Sequence, residues 1–143
     1  MTAFLASVDN LNDALTVSEH GADIIDLKNP SEGALGGLTL VDIHTIVDHI
    51  WENSVVSATV GDLDADLPVM LNKIKQVADT GVDYVKVGMF SQRHIDECLP
   101  RFEYHARCGI KIIAVLFADM DFDVLATVKA CKKARLRGVM TVS

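Results

Sequence analysis

Positive charge is scarce in this chain: 13 Lys and Arg stand against 20 Asp and Glu, for a formal charge of -7. A nucleic-acid-binding face needs a basic stripe, so that class is excluded, although a local basic pocket is compatible with an acidic protein. Proline is rare, with three residues, and half of the 143 residues are hydrophobic, which argues against disorder. No stretch approaches the ~20 apolar residues of a membrane span. The opening Met-Thr-Ala-Phe-Leu-Ala-Ser lacks the basic segment and the apolar run of a signal peptide. The three cysteines, Cys98, Cys108 and Cys131, are odd in number and without CxxC spacing. They fit neither a disulfide framework nor a zinc site, and read as reduced, buried thiols. A protein free in the cytoplasm, away from membranes, is expected.

Nucleotide and metal motifs are missing as well. Gly33-Ala-Leu-Gly36-Gly37 is glycine-rich but is neither GxGxxG nor a P-loop. It reads as a plain loop, with a lid or a phosphate-cradling turn as the functional alternative. Asp62, Asp64 and Asp66 alternate like metal ligands, but the glycine and terminal glutamate of a calcium loop are absent. A solvated loop ending in a helix cap is the plainer reading of these three aspartates. His20, His44, His49, His94 and His105 are scattered and read as surface residues, and Trp51 as a core residue at a helix end.

What the chain does have is regular punctuation. At this length it is one domain, residues 1–143, able to bury roughly 70% of its unfolded surface. Six apolar runs predict strands at Ala3–Ser7, Ala22–Lys28, Ser54–Val60, Val82–Gly88, Ile110–Ala118 and Val139–Ser143. Five helical patterns lie between them. Their predicted caps are Asp9 or Asn10, Thr39, Asp66, Ser91 and Asp121 or its neighbours, and Gly21, Gly81 and Gly109 end three of them. The last helix carries the apolar residues Val124, Leu125, Val128, Cys131 and Ala134. Strict βα alternation with near-continuous apolar strands predicts a parallel sheet covered by helices. An open doubly wound sheet and a (βα) barrel both fit. An internal match favours the barrel: Gly21-Ala-Asp-Ile-Ile-Asp-Leu-Lys28 parallels Gly81-Val-Asp-Tyr-Val-Lys-Val-Gly88, aligning Asp26 with Lys86. A full barrel needs eight units and typically ~250 residues, so an incomplete barrel is the expectation.

The chemistry gathers where α/β folds keep their sites, at the carboxyl ends of strands: Asp26, Lys28, Ser57, Thr59, Asp62, Lys86, Asp119 and Thr141. Asp26 and Lys28 bracket Leu27 and so share a face, while Lys86 shares parity with Tyr84 and Gly88. A desolvated lysine beside a second cation has a disfavoured charged form, attacks carbonyls and can form a Schiff base. A second lysine can then move protons while a carboxylate acts as acid or orients an amine. This suits an aldehyde or ketone substrate, with a phosphate drawn by local positive charge. The bland alternative is that Asp26 neutralises Lys28 or Lys86 in a buried ion pair. An open flavodoxin-like sheet binding a nucleotide is a further alternative.

Three motifs carry a family resemblance: Gly21-Ala-Asp-Ile-Ile-Asp-Leu-Lys-Asn-Pro-Ser-Glu-Gly-Ala-Leu-Gly36, Val56-Ser-Ala-Thr-Val-Gly-Asp62 and Asp83-Tyr-Val-Lys-Val-Gly88. In order and spacing the chain, up to about Met140, resembles the (5-formylfuran-3-yl)methyl phosphate synthases of methanofuran biosynthesis. The resemblance implies a TIM-barrel lyase of aldolase type that condenses two molecules of glyceraldehyde 3-phosphate into a furan aldehyde phosphate. It implies Lys28 as the Schiff-base lysine, Lys86 as proton acceptor and Asp26 in acid/base work, with no cofactor. Ser57, Thr59, Asp62 and Gly88 are the candidates for holding substrate. The family pattern continues past the sixth strand with an aspartate, another functional lysine and two more βα units, whereas here Met140 is followed by Thr-Val-Ser. A truncated barrel is therefore expected, its open edge covered by self-association into a homo-oligomer. A catalytically inactive assembly or phosphate-binding module is the alternative function.

Overall fold

A computed structural model describes residues 2–50, 52–61, 67–121 and 123–142. Six strands alternate with five helices: β1 Leu5–Val8, α1 Leu11–Glu19, β2 Ile24–Leu27, α2 Leu40–His49, β3 Val55–Thr59, α3 Leu67–Asp79, β4 Tyr84–Met89, α4 Gln92–Arg107, β5 Ile112–Phe117, α5 Val124–Lys133 and β6 Gly138–Val142. All pairings are parallel and the strand order is β1-β2-β3-β4-β5-β6. A doubly wound sheet would reverse its order at a switch point. This one never reverses, so it is the strand sequence of a (βα) barrel, six units long. Among the described residues β1 pairs only with β2 and β6 only with β5.

Strand parity divides the molecule into two environments. Ile25, Leu27, Val56, Ala58, Val85 and Val87 point to the helices and are buried in the core. The helices meet them with Ile43 and Ile46 of α2, Ile74 of α3 and Phe102 of α4, all buried. Each such side chain taken fully out of water contributes about 1.5–3 kcal/mol. The opposite parity carries the buried polar residues Asp26, Ser57, Thr59 and Lys86.

The helix caps are local. Asn10, Thr39 and Ser91 each accept the backbone N–H three residues on. Asp123, one of the candidates around Asp121, does so for α5. Asp66 and Trp51 lie outside the described residues. Gly21 and Gly81 end α1 and α3 with φ of +80° and +97°, and Arg135 takes the same left-handed turn after α5 at 64°. The internal repeat has a structural meaning. The Asp23 carboxylate accepts the Phe4 N–H at 2.6 Å and the Asp83 carboxylate accepts the Val56 N–H at 2.8 Å. The backbone N–H of each aspartate returns a bond to the same residue's carbonyl. Each aspartate thus clips the start of its strand to the strand before it.

The apolar residues of α5 divide between two environments. Cys131 and Ala134 are buried, but Val124, Leu125 and Val128 are exposed, Leu125 to 66%. Thr127 instead turns to the sheet. The apolar stripe on α5 is wider than the single sheet face available to it, so its flank looks outward.

The thiols are unequal. Cys98 and Cys131 are buried as expected, but Cys108 is exposed, because it caps the C-terminal end of α4 rather than facing the sheet. Burial, with Glu97 nearby, pushes the Cys98 thiol up to about 11, and burial raises Cys131 too. Because the thiolate is the reactive form, Ellman's reagent at pH 8 is expected to titrate one thiol in the native protein, Cys108, and three after denaturation.

Candidate active site

The centre of the concave face is a buried carboxylate. Asp26 is 1% exposed and Lys86 6%. Lys86 Nζ donates to Asp26 Oδ2 at 2.9 Å, Ser57 Oγ donates to Oδ1 at 2.7 Å and Ser7 Oγ to Oδ2 at 3.1 Å. Four adjacent strands therefore converge on one side chain. The register explains how. Ser7, Asp26, Ser57 and Tyr84 lie opposite one another across β1 to β4. Lys86 sits two residues further up β4, opposite Thr59 and Ile113. β2 and β4 are about 10 Å apart at ordinary strand spacing. The long lysine side chain spans that gap, leaning over Ser57 to Asp26. An unpaired charge here would be costly, and the three donors offset that cost.

Lys28 follows directly after β2. Its N–H donates to the Val8 carbonyl, so the ladder with β1 runs on through it. Alternation then sets Lys28 on the face of Asp26. One more step of the β2–β3 register brings it opposite Thr59, in the layer of Lys86. Lys28 is half-buried, and its amine has no ion pair or hydrogen bond among the described residues. The two lysines thus differ: one is held by the carboxylate and the other is not.

Above this layer lies the loop from Asn29 to Leu38, and it is fastened. The Asn29 N–H donates to the Gly36 carbonyl at 2.7 Å, and the Asn29 side chain accepts from the N–H and hydroxyl of Ser31 across a 3-10 turn, Pro30–Glu32. A Cβ at Gly36 would collide with the Asn29 carbonyl. Thr59 Oγ1 donates to the Gly36 carbonyl at 3.0 Å, which ties the loop to β3. Leu35 is buried at 1% exposure. It rests on Gly88, where an added Cβ would stand 2.6 Å from Leu35 Cδ1 and 2.9 Å from Phe90 Cζ. Glycine at position 88 is what admits both side chains.

The candidates separate accordingly. Asp26, Lys86 and Ser57 are bonded together, with Thr59, Gly88 and Lys28 in the layers just above. Asp62 lies outside the described residues. Asp119 is exposed after β5, without a hydrogen bond or ion pair among the described residues. Thr141 has the parity of Val139 and lines a groove against Val124 and Val128 of α5, on the helix side of the sheet. Three contributors were not picked out beforehand. Ser7 has the right parity at the end of β1, a usable signal. Leu35 and Phe90 carry no polar group to advertise a site. His94 is not a surface histidine: both ring nitrogens are inaccessible and without a hydrogen bond among the described residues, and its ring lies 6.0 Å from that of Phe90. A cavity of about 240 Å³ opens beneath, lined by Ser57, Tyr84, Lys86, Ile113, Arg137 and Met140 among others.

Removing one partner of a buried pair strands the other charge, at a cost of about 3–5 kcal/mol. Lys86→Met is therefore expected to lower the urea-unfolding free energy by about that much. The double variant Asp26→Asn/Lys86→Met should recover a substantial part of the loss. Additive losses would show that the pair is not coupled.

A family model described as 4-HFC-P synthase matches residues 4–142. The (5-formylfuran-3-yl)methyl phosphate synthase of Methanopyrus kandleri is 41% identical over 121 residues, which cover 80% of this chain and 51% of that protein. The synthase of the same name from Methanobrevibacter smithii is 30% identical over 136 residues, covering 95% of this chain and 54% of its own. The chain spans about half the length of the curated relatives it matches. Among solved structures, a 2,3-dimethylmalate lyase of the PEP mutase/isocitrate lyase superfamily superposes with a TM-score of 0.70 at 18% identity, over 97% of this chain and 58% of that one. At that identity the likeness speaks for the fold alone. With the family pattern matched from the first strand to the last, this chain belongs to the (5-formylfuran-3-yl)methyl phosphate synthase family.

Proposed function

We propose that this chain carries the Schiff-base centre of a synthase that joins two molecules of glyceraldehyde 3-phosphate into a furan aldehyde phosphate, with loss of phosphate and water, for a methanofuran-type cofactor. The observation that carries the reading is the division of labour between the lysines. Lys28 has an amine free of any carboxylate among the described residues. Lys86 is bonded to buried Asp26 in the same region.

In this reading Lys28 Nζ attacks the substrate carbonyl carbon, and water leaves as the C=N bond forms. The resulting iminium draws electrons from the neighbouring carbon and makes its C–H acidic. Lys86 and Asp26 form the adjacent proton-handling pair that removes and returns that hydrogen. Ser57 and Ser7 keep the carboxylate in place by occupying its remaining lone pairs. Arg137, which lines the same cavity as Lys86, adds positive charge that suits a phosphorylated aldehyde.

A second reading, a non-catalytic assembly module, is favoured by a separate observation. Phe4 by the β1 edge, and Val124 and Leu125 by the β6 edge, are exposed. It expects association of copies in light scattering, without any covalent chemistry.

Incubation with glyceraldehyde 3-phosphate and borohydride, followed by peptide mass spectrometry, tests the first reading. A reduced adduct on Lys28 is expected, lost in Lys28→Ala and at least tenfold slower to form in Lys86→Met. A folded protein with no adduct on Lys28 would leave the assembly module as the better account.

A further inference from the structure

We propose that Phe90 is a specificity residue of this site, a flat wall against which a planar, unsaturated ring stacks in preference to a saturated polyol. The proposal rests on the Schiff-base reading for its chemistry, but its geometry stands apart. On β4 and its continuation, Lys86, Gly88 and Phe90 share one face. The atoms nearest an ideal Cβ at Gly88 include Cζ and Cε2 of Phe90, at 2.9 and 3.2 Å. The Phe90 ring is thus folded back along its own strand and covers Gly88 on the concave side, directly above Lys86.

The ring is also held in orientation. One further step of the β4–β5 register sets Phe90 opposite Phe117. The two rings stack with centroids 5.3 Å apart and planes 24° from parallel. His94, from the first turn of α4, packs against the same ring, and Leu35 closes the side next to Gly88. The site therefore has a polar floor of Asp26, Ser57 and Lys86 and an aromatic wall, with Phe90 only half-buried. Loss of water and phosphate from a condensed polyol turns tetrahedral carbons into a flat conjugated ring. A braced aromatic surface gains more from stacking against a flat conjugated ring than from contact with a saturated one. It therefore favours the late, unsaturated intermediates over the starting sugar phosphates.

The test uses two unphosphorylated probes, furan-2-carbaldehyde and tetrahydrofuran-2-carbaldehyde, titrated into the isotope-labelled protein by NMR. The furan is expected to bind about three- to tenfold more tightly than its saturated analogue, the range given by one aromatic stack, and to shift the ring protons of Phe90 and Phe117. Phe90→Leu should abolish the preference and Phe90→Tyr should keep it, with unfolding midpoints checking that both variants fold. Equal affinity for the two probes, no binding of either, or a preference that survives in Phe90→Leu would overturn the proposal. None of these readouts requires an adduct. Failure of borohydride trapping at Lys28 would therefore count against the Schiff-base reading while leaving the stacking preference to be judged separately.

Discussion

The concave face depends on the carboxylate of Asp26 being satisfied. A carboxylate with 1% exposure survives in a folded protein only where donors replace its water. Here the donors come from β1, β3 and β4, while the acceptor is on β2. The interaction is thus a constraint on strand placement as much as a charge pair. A slip of one residue in any of these registers would send the donor to the helix side. The parallel ladder specifies neighbours, and the carboxylate specifies height.

That constraint shapes what surrounds it. With Lys86 drawn across β3 to Asp26, the volume above β4 is left to Leu35 and Phe90, which need a glycine at position 88. The loop that delivers Leu35 starts one residue after Lys28 and is tied to β3 through Thr59. Lys28 therefore sits between a fixed strand below and a fastened loop above, which preorganises its backbone. Thr59, a candidate for holding substrate, already spends its hydroxyl hydrogen on that fastening.

Much of this was legible in the sequence because it follows from periodicity. Alternation along β2 and β4 was enough to set Asp26 and Lys86 on one face, and the helix punctuation was enough to find all five helices and six strands. Strand order was harder to read, since barrel and doubly wound sheets share the same local pattern. The partner of Asp26 also stayed open between Lys28 and Lys86, because that choice depends on the stagger between β3 and β4. Leu35 and Phe90 escaped notice for a different reason. Their contribution is shape, and shape at Gly88 appears only when a loop and a strand are brought together.

The sequential strand order has a consequence for how the chain assembles. Every ladder joins strands that are neighbours in the sequence, so the sheet can grow outward one βα unit at a time. The bond from Lys86 to Asp26 spans 60 residues and skips a strand. Until β4 docks, a sheet of three strands holds a carboxylate with hydroxyl donors but no countercharge. The first three units thus reach charge balance only with the fourth strand in place. The same ion pair that equips the site thus makes the first four units depend on one another for their charge balance.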